Sequence, residues 1–208
     1  VTETSPAGAE EGYLAPAGEA RAEIRDRGSR FLAVVGPVAD EDELKRGLEA
    51  VRAEYPEATH HCWAARLGEP ALERSADAGE PAGTAGVPIL QVLRGAALSD
   101  VLAVVVRWFG GTKLGKGGLA RAYAGATREA LAALPRVRNV PAVELLVELP
   151  YDRIGGVKRL LQPPRIELLE ESYGATVRLR LSVFLSERPS LEAALADLGL
   201  AAIERGGG

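Results

Sequence analysis

Apolar and polar positions along the chain change period several times, and each change marks an element. Val101-Leu102-Ala103-Val104-Val105-Val106 is a short, Val-rich run with no polar residue, which predicts a buried strand rather than a helix. Leu44, Leu48 and Val51 recur at helical spacing, so Asp40 to Tyr55 reads as a helix. Asp40 is its N-cap, acids fill its first turn, and Pro56 stops it. Ala22 to Val38 reads as two strands or one broken strand, with a turn at Asp26, Gly28 and Ser29. His60 to Leu67 reads as a strand, Val87 to Ala97 as a helix opened by Pro88, and Leu119 to Leu134 as an alanine-rich helix ended by Pro135. Glu69 to Gly86 has no periodicity and reads as one long shaped loop.

From Val140 the pattern starts again. Val143 to Leu149 is a strand, Tyr151 to Leu161 a helix, Ile166 to Glu170 and Thr176 to Val183 two strands joined near Gly174. Pro189 to Leu198 is a helix and Leu200 to Ile203 a last strand. This β-α-β-β-α-β order is that of a ferredoxin-like domain. The chain is therefore expected to be α/β (α+β), with one domain over residues 1–139 and a second over 140–208. The ends, Val1 to Glu11 and Arg205 to Gly208, are expected to be loose.

The candidate chemistry lies between the Val-rich strand and the alanine-rich helix. Arg107-Trp108-Phe109-Gly110-Gly111-Thr112-Lys113-Leu114-Gly115-Lys116-Gly117-Gly118-Leu119-Ala120-Arg121 contains five glycines, four cations and no acid. The first amides of a helix have no intrahelical partner and sit at the positive end of its dipole, which suits an anion. The expected binders of phosphate or nucleic acid are Arg107, Trp108, Gly111, Lys113, Gly115, Lys116, Gly117, Gly118 and Arg121. Phe109 reads as sheet–helix core, whereas Trp108 and Tyr123 are divided between core packing and base stacking. Gly110, Gly115 and Lys116 match the spacing G-x-x-x-x-G-K, but Gly117 stands where a Ser or Thr would hold Mg²⁺, so a nucleotide-hydrolysing P-loop is not expected.

His60, Asp77, Glu80 and Thr84 are candidates to line a pocket beside that loop. Adjacent strand residues point to opposite faces, so His60, His61 and Cys62 cannot all ligate one ion. His60 and Cys62 alone are too few for a zinc site, and neither a metal nor a cofactor is expected. Asp77 and Glu80 read either as a carboxylate pair or as a turn acid and a capping acid.

The 208 residues carry 25 Lys and Arg against 29 Asp and Glu, a formal net charge of −4, so anion binding has to come from a local patch. The single cysteine excludes an internal disulfide and fits a reducing cytoplasm. No apolar run is long enough to span a bilayer.

Asp77-Ala78-Gly79-Glu80-Pro81-Ala82-Gly83-Thr84-Ala85-Gly86-Val87-Pro88, followed by Val106 to Tyr123, resembles the paired signature of the IMPACT/YigZ family. Ser29-Arg30-Phe31 and His60-His61-Cys62 stand where that family has related stretches. Ala76 and Ala78 depart from its usual Ser-Asp-Asp-Gly-Glu-Pro run, and Trp108 replaces a Tyr. The resemblance implies an N-terminal domain folded like the second domain of a small-subunit ribosomal protein, and a C-terminal domain like ferredoxin-like domains of elongation factor G. It implies a non-catalytic role in translation regulation, with RNA or the ribosome as partner. The alternative is an enzyme acting on a phosphorylated small molecule or nucleotide, with His60, Asp77 and Glu80 converging on the loop.

Overall fold

A computed structural model of the chain describes residues 12–204. The terminal stretches expected to be loose, Val1 to Glu11 and Arg205 to Gly208, lie outside the described residues. The chain divides into two compact units at Asn139/Val140.

The first unit is built on a five-stranded sheet. Its strands are β2 (Ala20–Asp26), β3 (Ser29–Pro37), β4 (His60–Leu67), β5 (Leu72–Ala76) and β6 (Val101–Trp108). Their order is β2-β3-β6-β4-β5, and every neighbouring pair is antiparallel. Helix α1 (Glu41–Glu54) covers one face, and helices α2 (Gly86–Gly95) and α3 (Gly115–Ala133) cover the other. β6 is the middle strand of this sandwich. Val101, Ala103 and Val105 pack toward α2 and α3, while Leu102, Val104 and Val106 pack toward α1. Burial on both faces is why the run lacks polar alternation. α1 follows its sequence signals closely: the Asp40 side chain accepts from the Glu43 amide at 2.7 Å, and the Glu43 carboxylate accepts from the Ala39 amide at 2.8 Å.

Three sequence expectations need correction, and one pair of strands has no counterpart among them. Glu69 to Gly86 is not one loop, because Leu72–Ala76 pairs with β4 as the edge strand β5. Its residues are polar and largely exposed, so an edge position hides the usual apolar alternation. A two-stranded ribbon pairs β1 (Tyr13–Pro16) with β7 (Arg136–Asn139), and β7 gives no apolar period because it is mostly exposed and charged. Helix α3 opens at Gly115, four residues before the expected Leu119. Glycine is a poor helix former, but buried Leu114, Gly118 and Leu119 anchor this first turn. The expected helix Tyr151 to Leu161 is a 3₁₀ turn, Tyr151–Arg153, followed by a short helix α4 (Ile154–Lys158).

The second unit has strands β8 (Ala142–Leu149), β9 (Ile166–Tyr173), β10 (Val177–Phe184) and β11 (Ala202–Glu204), with helix α5 (Arg188–Asp197). Their order is β11-β8-β10-β9, all antiparallel neighbours. β8 and β9 therefore run parallel with β10 between them, which is the split βαβ arrangement of a ferredoxin-like fold. Leu145, Val147, Leu149, Val177, Leu179, Leu181 and Val183 face α4 and α5 residues such as Val157, Leu191 and Leu195. Arg178 and Arg180, on the other face of β10, pair with Glu148, Glu144 and Glu170.

Candidate functional site

The glycine loop stands on a buried polar cluster at one end of the five-stranded sheet. Register places Phe31, Arg107 and His60 side by side across β3, β6 and β4. Strand alternation turns all three toward α3, together with Cys62, while His61 faces α1, where its Nε2 lies 3.0 Å from the Tyr55 carbonyl. The Arg107 and Glu80 side chains are only 6% and 3% exposed, and Arg107 Nη1 donates to Glu80 Oε1 at 2.5 Å. The same carboxylate oxygen accepts from the Tyr123 hydroxyl at 2.8 Å. Arg107 Nη2 donates to Ser29 Oγ at 3.3 Å, and Ser29 Oγ also accepts from the Gly110 amide at 3.2 Å. One ion pair thus ties the 77–86 loop, β3, β6, α3 and the start of the glycine loop together.

His60 and Cys62 line the same cluster. His60 Nδ1 lies 3.0 Å from the Ala78 carbonyl, which only accepts, so Nδ1 carries a proton. His60 Nε2 is 3.9 Å from Glu80 Oε1, beyond hydrogen-bond reach. Cys62 Sγ lies 2.9 Å from the Asp77 carbonyl and 3.3 Å from the Tyr123 hydroxyl. Burial pushes the Cys62 thiol up to about 12, so it stays protonated at neutral pH. Burial also raises the Tyr123 hydroxyl, reinforced by Cys62 and Glu80.

Asp77 and Glu80 have separate roles. The Asp77 carboxylate accepts from the amides of Gly83, Ala85 and Gly86 at 2.8, 2.9 and 2.9 Å and caps the start of α2. Burial raises its pKa, but the three amides outweigh that and hold it below the ordinary aspartate value. Thr84 is buried and donates to the Pro81 carbonyl at 2.6 Å, closing the same turn. Among the described residues, no three His, Cys, Asp or Glu side chains group to hold a metal. Asp77→Ala is expected to lower stability by about 1–2 kcal/mol, the usual loss for a cap, read by urea denaturation. The Asp77 contribution is full above an unfolded-state pKa of about 3.9. It fades as pH falls through the lower folded-state value, so the gap between wild type and variant should close in acid.

The predicted anion binders separate into two groups. Arg107 is buried and paired with Glu80, so it underlies the loop instead of presenting a surface charge. Sequence spacing could not show this, because Glu80 is remote along the chain. Trp108 is half-buried on the α1 side, edge-on to Tyr55 at 5.6 Å and under the Arg30 guanidinium at 4.1 Å. Tyr123 is fully buried, edge-on to Phe31 at 5.2 Å, and is unavailable for stacking. Phe109, expected in the core, is 48% exposed, because the chain has left the sheet at Trp108 and strand alternation no longer applies.

Lys113, Lys116 and Arg121 are exposed and make no ion pair among the described residues. The amides of Gly115, Lys116, Gly117 and Gly118 donate to no described carbonyl or side chain outside the helix. A Cβ at Gly117 would lie 3.4 Å from Arg121 Nη1, so this guanidinium folds back over the first turn of α3. Gly110 packs directly on Gly28 at the β2–β3 turn, which brings exposed Arg27, a cation the sequence did not single out, to the loop.

Residues 27–131 match the model of the Impact N-terminal domain, and residues 147–199 match a domain of unknown function, DUF1949. The chain is 34% identical to the IMPACT family member YigZ of Escherichia coli over 93% of this chain and 97% of that protein. It is 42% identical to an IMPACT family member of Thermus thermophilus over 82% of this chain and 93% of the other. A crystal structure described only as that of a hypothetical protein superposes with a TM-score of 0.69. It is 35% identical and covers 94% of this chain and 99% of its own. The cluster of Ser29, His60, Cys62, Asp77, Glu80, Arg107 and Tyr123 and the glycine loop above it all fall within the matched N-terminal domain, and the chain belongs to the IMPACT family.

Proposed function

We propose that this chain is a non-catalytic RNA- or ribosome-binding protein with a role in translation regulation, holding phosphate at the glycine loop. One observation carries the reading. Open amides at the start of α3 coincide with Lys113, Lys116 and Arg121, which have no carboxylate partner among the described residues. Such a site attracts phosphate oxygen through backbone donors, the helix dipole and ammonium groups acting together. Family membership supports the setting. Exposed Phe109 beside the loop offers a ring for stacking, and Arg107 holds the loop from below.

Phosphate contacts release counterions, so affinity should fall steeply with salt. Binding of a fluorescein-labelled oligo(U) 12-mer, followed by anisotropy across a salt series, tests this. Lys113→Ala/Lys116→Ala is expected to lower the slope of log affinity against log salt by about two units, one per lysine. An unchanged slope would sink the reading. Co-sedimentation with ribosomes over the same salt range then separates free RNA from ribosome binding.

The enzyme reading rests on the approach of His60 to Glu80. That carboxylate oxygen already accepts from Arg107 and Tyr123, and the Cys62 thiol stays protonated, so this cluster supplies no activated nucleophile. Phosphate release from nucleotides by wild type, abolished in His60→Ala, would restore the enzyme reading.

A further inference from the structure

A furrow runs between α2 and α3 on the surface away from the sheet. It encloses about 620 Å³, and its walls include Gln91, Val92, Ala124, Arg128, Ala132 and Arg136. Small side chains keep the walls low, Leu131 gives the floor an apolar patch, and Arg128 and Arg136 are exposed at one end. Arg136 Nη2 donates to the Leu131 carbonyl at 2.9 Å, which fixes its guanidinium over that end. Neither arginine pairs with a carboxylate among the described residues.

Charge is segregated sharply here. The chain has 29 acids, yet α2 and α3, ten and nineteen residues long, contain one between them, Glu129. From Pro81 to Arg128 the sole acid is Asp100, and its carboxylate is engaged by Tyr13 and the Gly68 amide. Glu129 is displaced by about 100° around the helix from Arg128. Arg121 and Arg128 are seven residues apart, two turns along nearly the same line of α3, so the furrow and the glycine loop share one face. Among the described residues, no acid lines the furrow.

Resting on the phosphate-binding reading of the loop, we propose that the α2–α3 furrow is its continuation and carries a single-stranded nucleic acid away from it. The strand's phosphates leave the open amides of the loop and meet Arg121, Arg128 and Arg136 in turn. Its unpaired bases lie against the apolar walls and the exposed guanidinium of Arg128. A duplex turns its base faces inward and cannot use the concave, apolar part of the furrow. From Lys116 to Ala132 the helix rises roughly 24 Å at 1.5 Å per residue. A stacked strand advancing about 3.4 Å per nucleotide needs about seven nucleotides to cover it.

The test compares fluorescein-labelled oligo(U) of four and twelve nucleotides on the full chain. Wild type is expected to bind the 12-mer about tenfold tighter than the 4-mer, with a steeper salt dependence. Arg128→Ala/Arg136→Ala should remove that length advantage and lower the 12-mer slope by about two units, leaving the 4-mer unchanged. Ala132→Glu, which places an acid on the exposed wall and keeps the Arg136–Leu131 bond, should likewise remove the length advantage, so the test stands even where Arg136→Ala disturbs folding. Should the furrow variants bind the 12-mer as wild type does while Lys113→Ala/Lys116→Ala weakens both lengths, the furrow is wrong and the loop reading stands. Should neither set change binding, both fail. A duplex bound as tightly as the single strand, and weakened equally by the furrow variants, would overturn the single-strand assignment.

Discussion

Glu80→Ala is expected to destabilise the first unit by about 3–5 kcal/mol, the typical loss when one partner of a buried ion pair is removed. The Arg107 side chain is 6% exposed, and without Glu80 its charge would have neither water nor a carboxylate to face. Arg107 Nε already has no hydrogen-bond partner among the described residues, so the guanidinium has little reserve. The Tyr123 hydroxyl would lose its acceptor as well. Urea denaturation of wild type, Glu80→Ala and Glu80→Gln should order them by stability as wild type, Gln, Ala. Glu80→Leu/Arg107→Met should recover much of the loss, because a buried pair replaced by apolar groups is often neutral. If Glu80→Ala costs less than about 1 kcal/mol, a typical surface effect, the cluster does not hold the loop.

Gly110→Ala should cost about 3 kcal/mol or more, at the upper end of overpacking effects. A Cβ at Gly110 would sit 1.9 Å from the Gly28 carbonyl carbon and 2.2 Å from the Ser29 amide nitrogen. These are backbone atoms, so no side-chain rotation relieves the overlap, and the β2–β3 turn must part from the loop. The Gly110–Ser29 and Arg107–Ser29 bonds would weaken with it, and RNA affinity should fall along with the melting temperature. Gly117→Ala provides the contrast. Its Cβ meets only the mobile end of Arg121 at 3.4 Å, and alanine favours a helix by about 1 kcal/mol over glycine. Equal losses at Gly110 and Gly117 would mean that glycine flexibility, not backbone contact, governs the loop.

Several parts of this molecule were legible before any coordinates. The Val-rich run of β6, the capped helix α1 and the β-α-β-β-α-β order of the second unit declare themselves through local period, because each buries a regular face. The glycine–lysine stretch was equally plain as a composition. Strands β5 and β7 were not: they bury little, so their residues obey no apolar alternation.

The sequence by itself determined which residues crowd together at the strand–loop–helix junction, and that no acid lies among them. Only the tertiary structure decided which of those cations face solvent. Arg107 and Lys113 read alike in a string of letters. Strand alternation turns Arg107 inward beside Glu80, 27 residues away in the chain, whereas Lys113 stands on an exposed loop with no carboxylate opposite it among the described residues. A charge's availability depends on what folding brings within a few ångströms of it, and that partner is set by sheet register and helix packing rather than by neighbours in sequence.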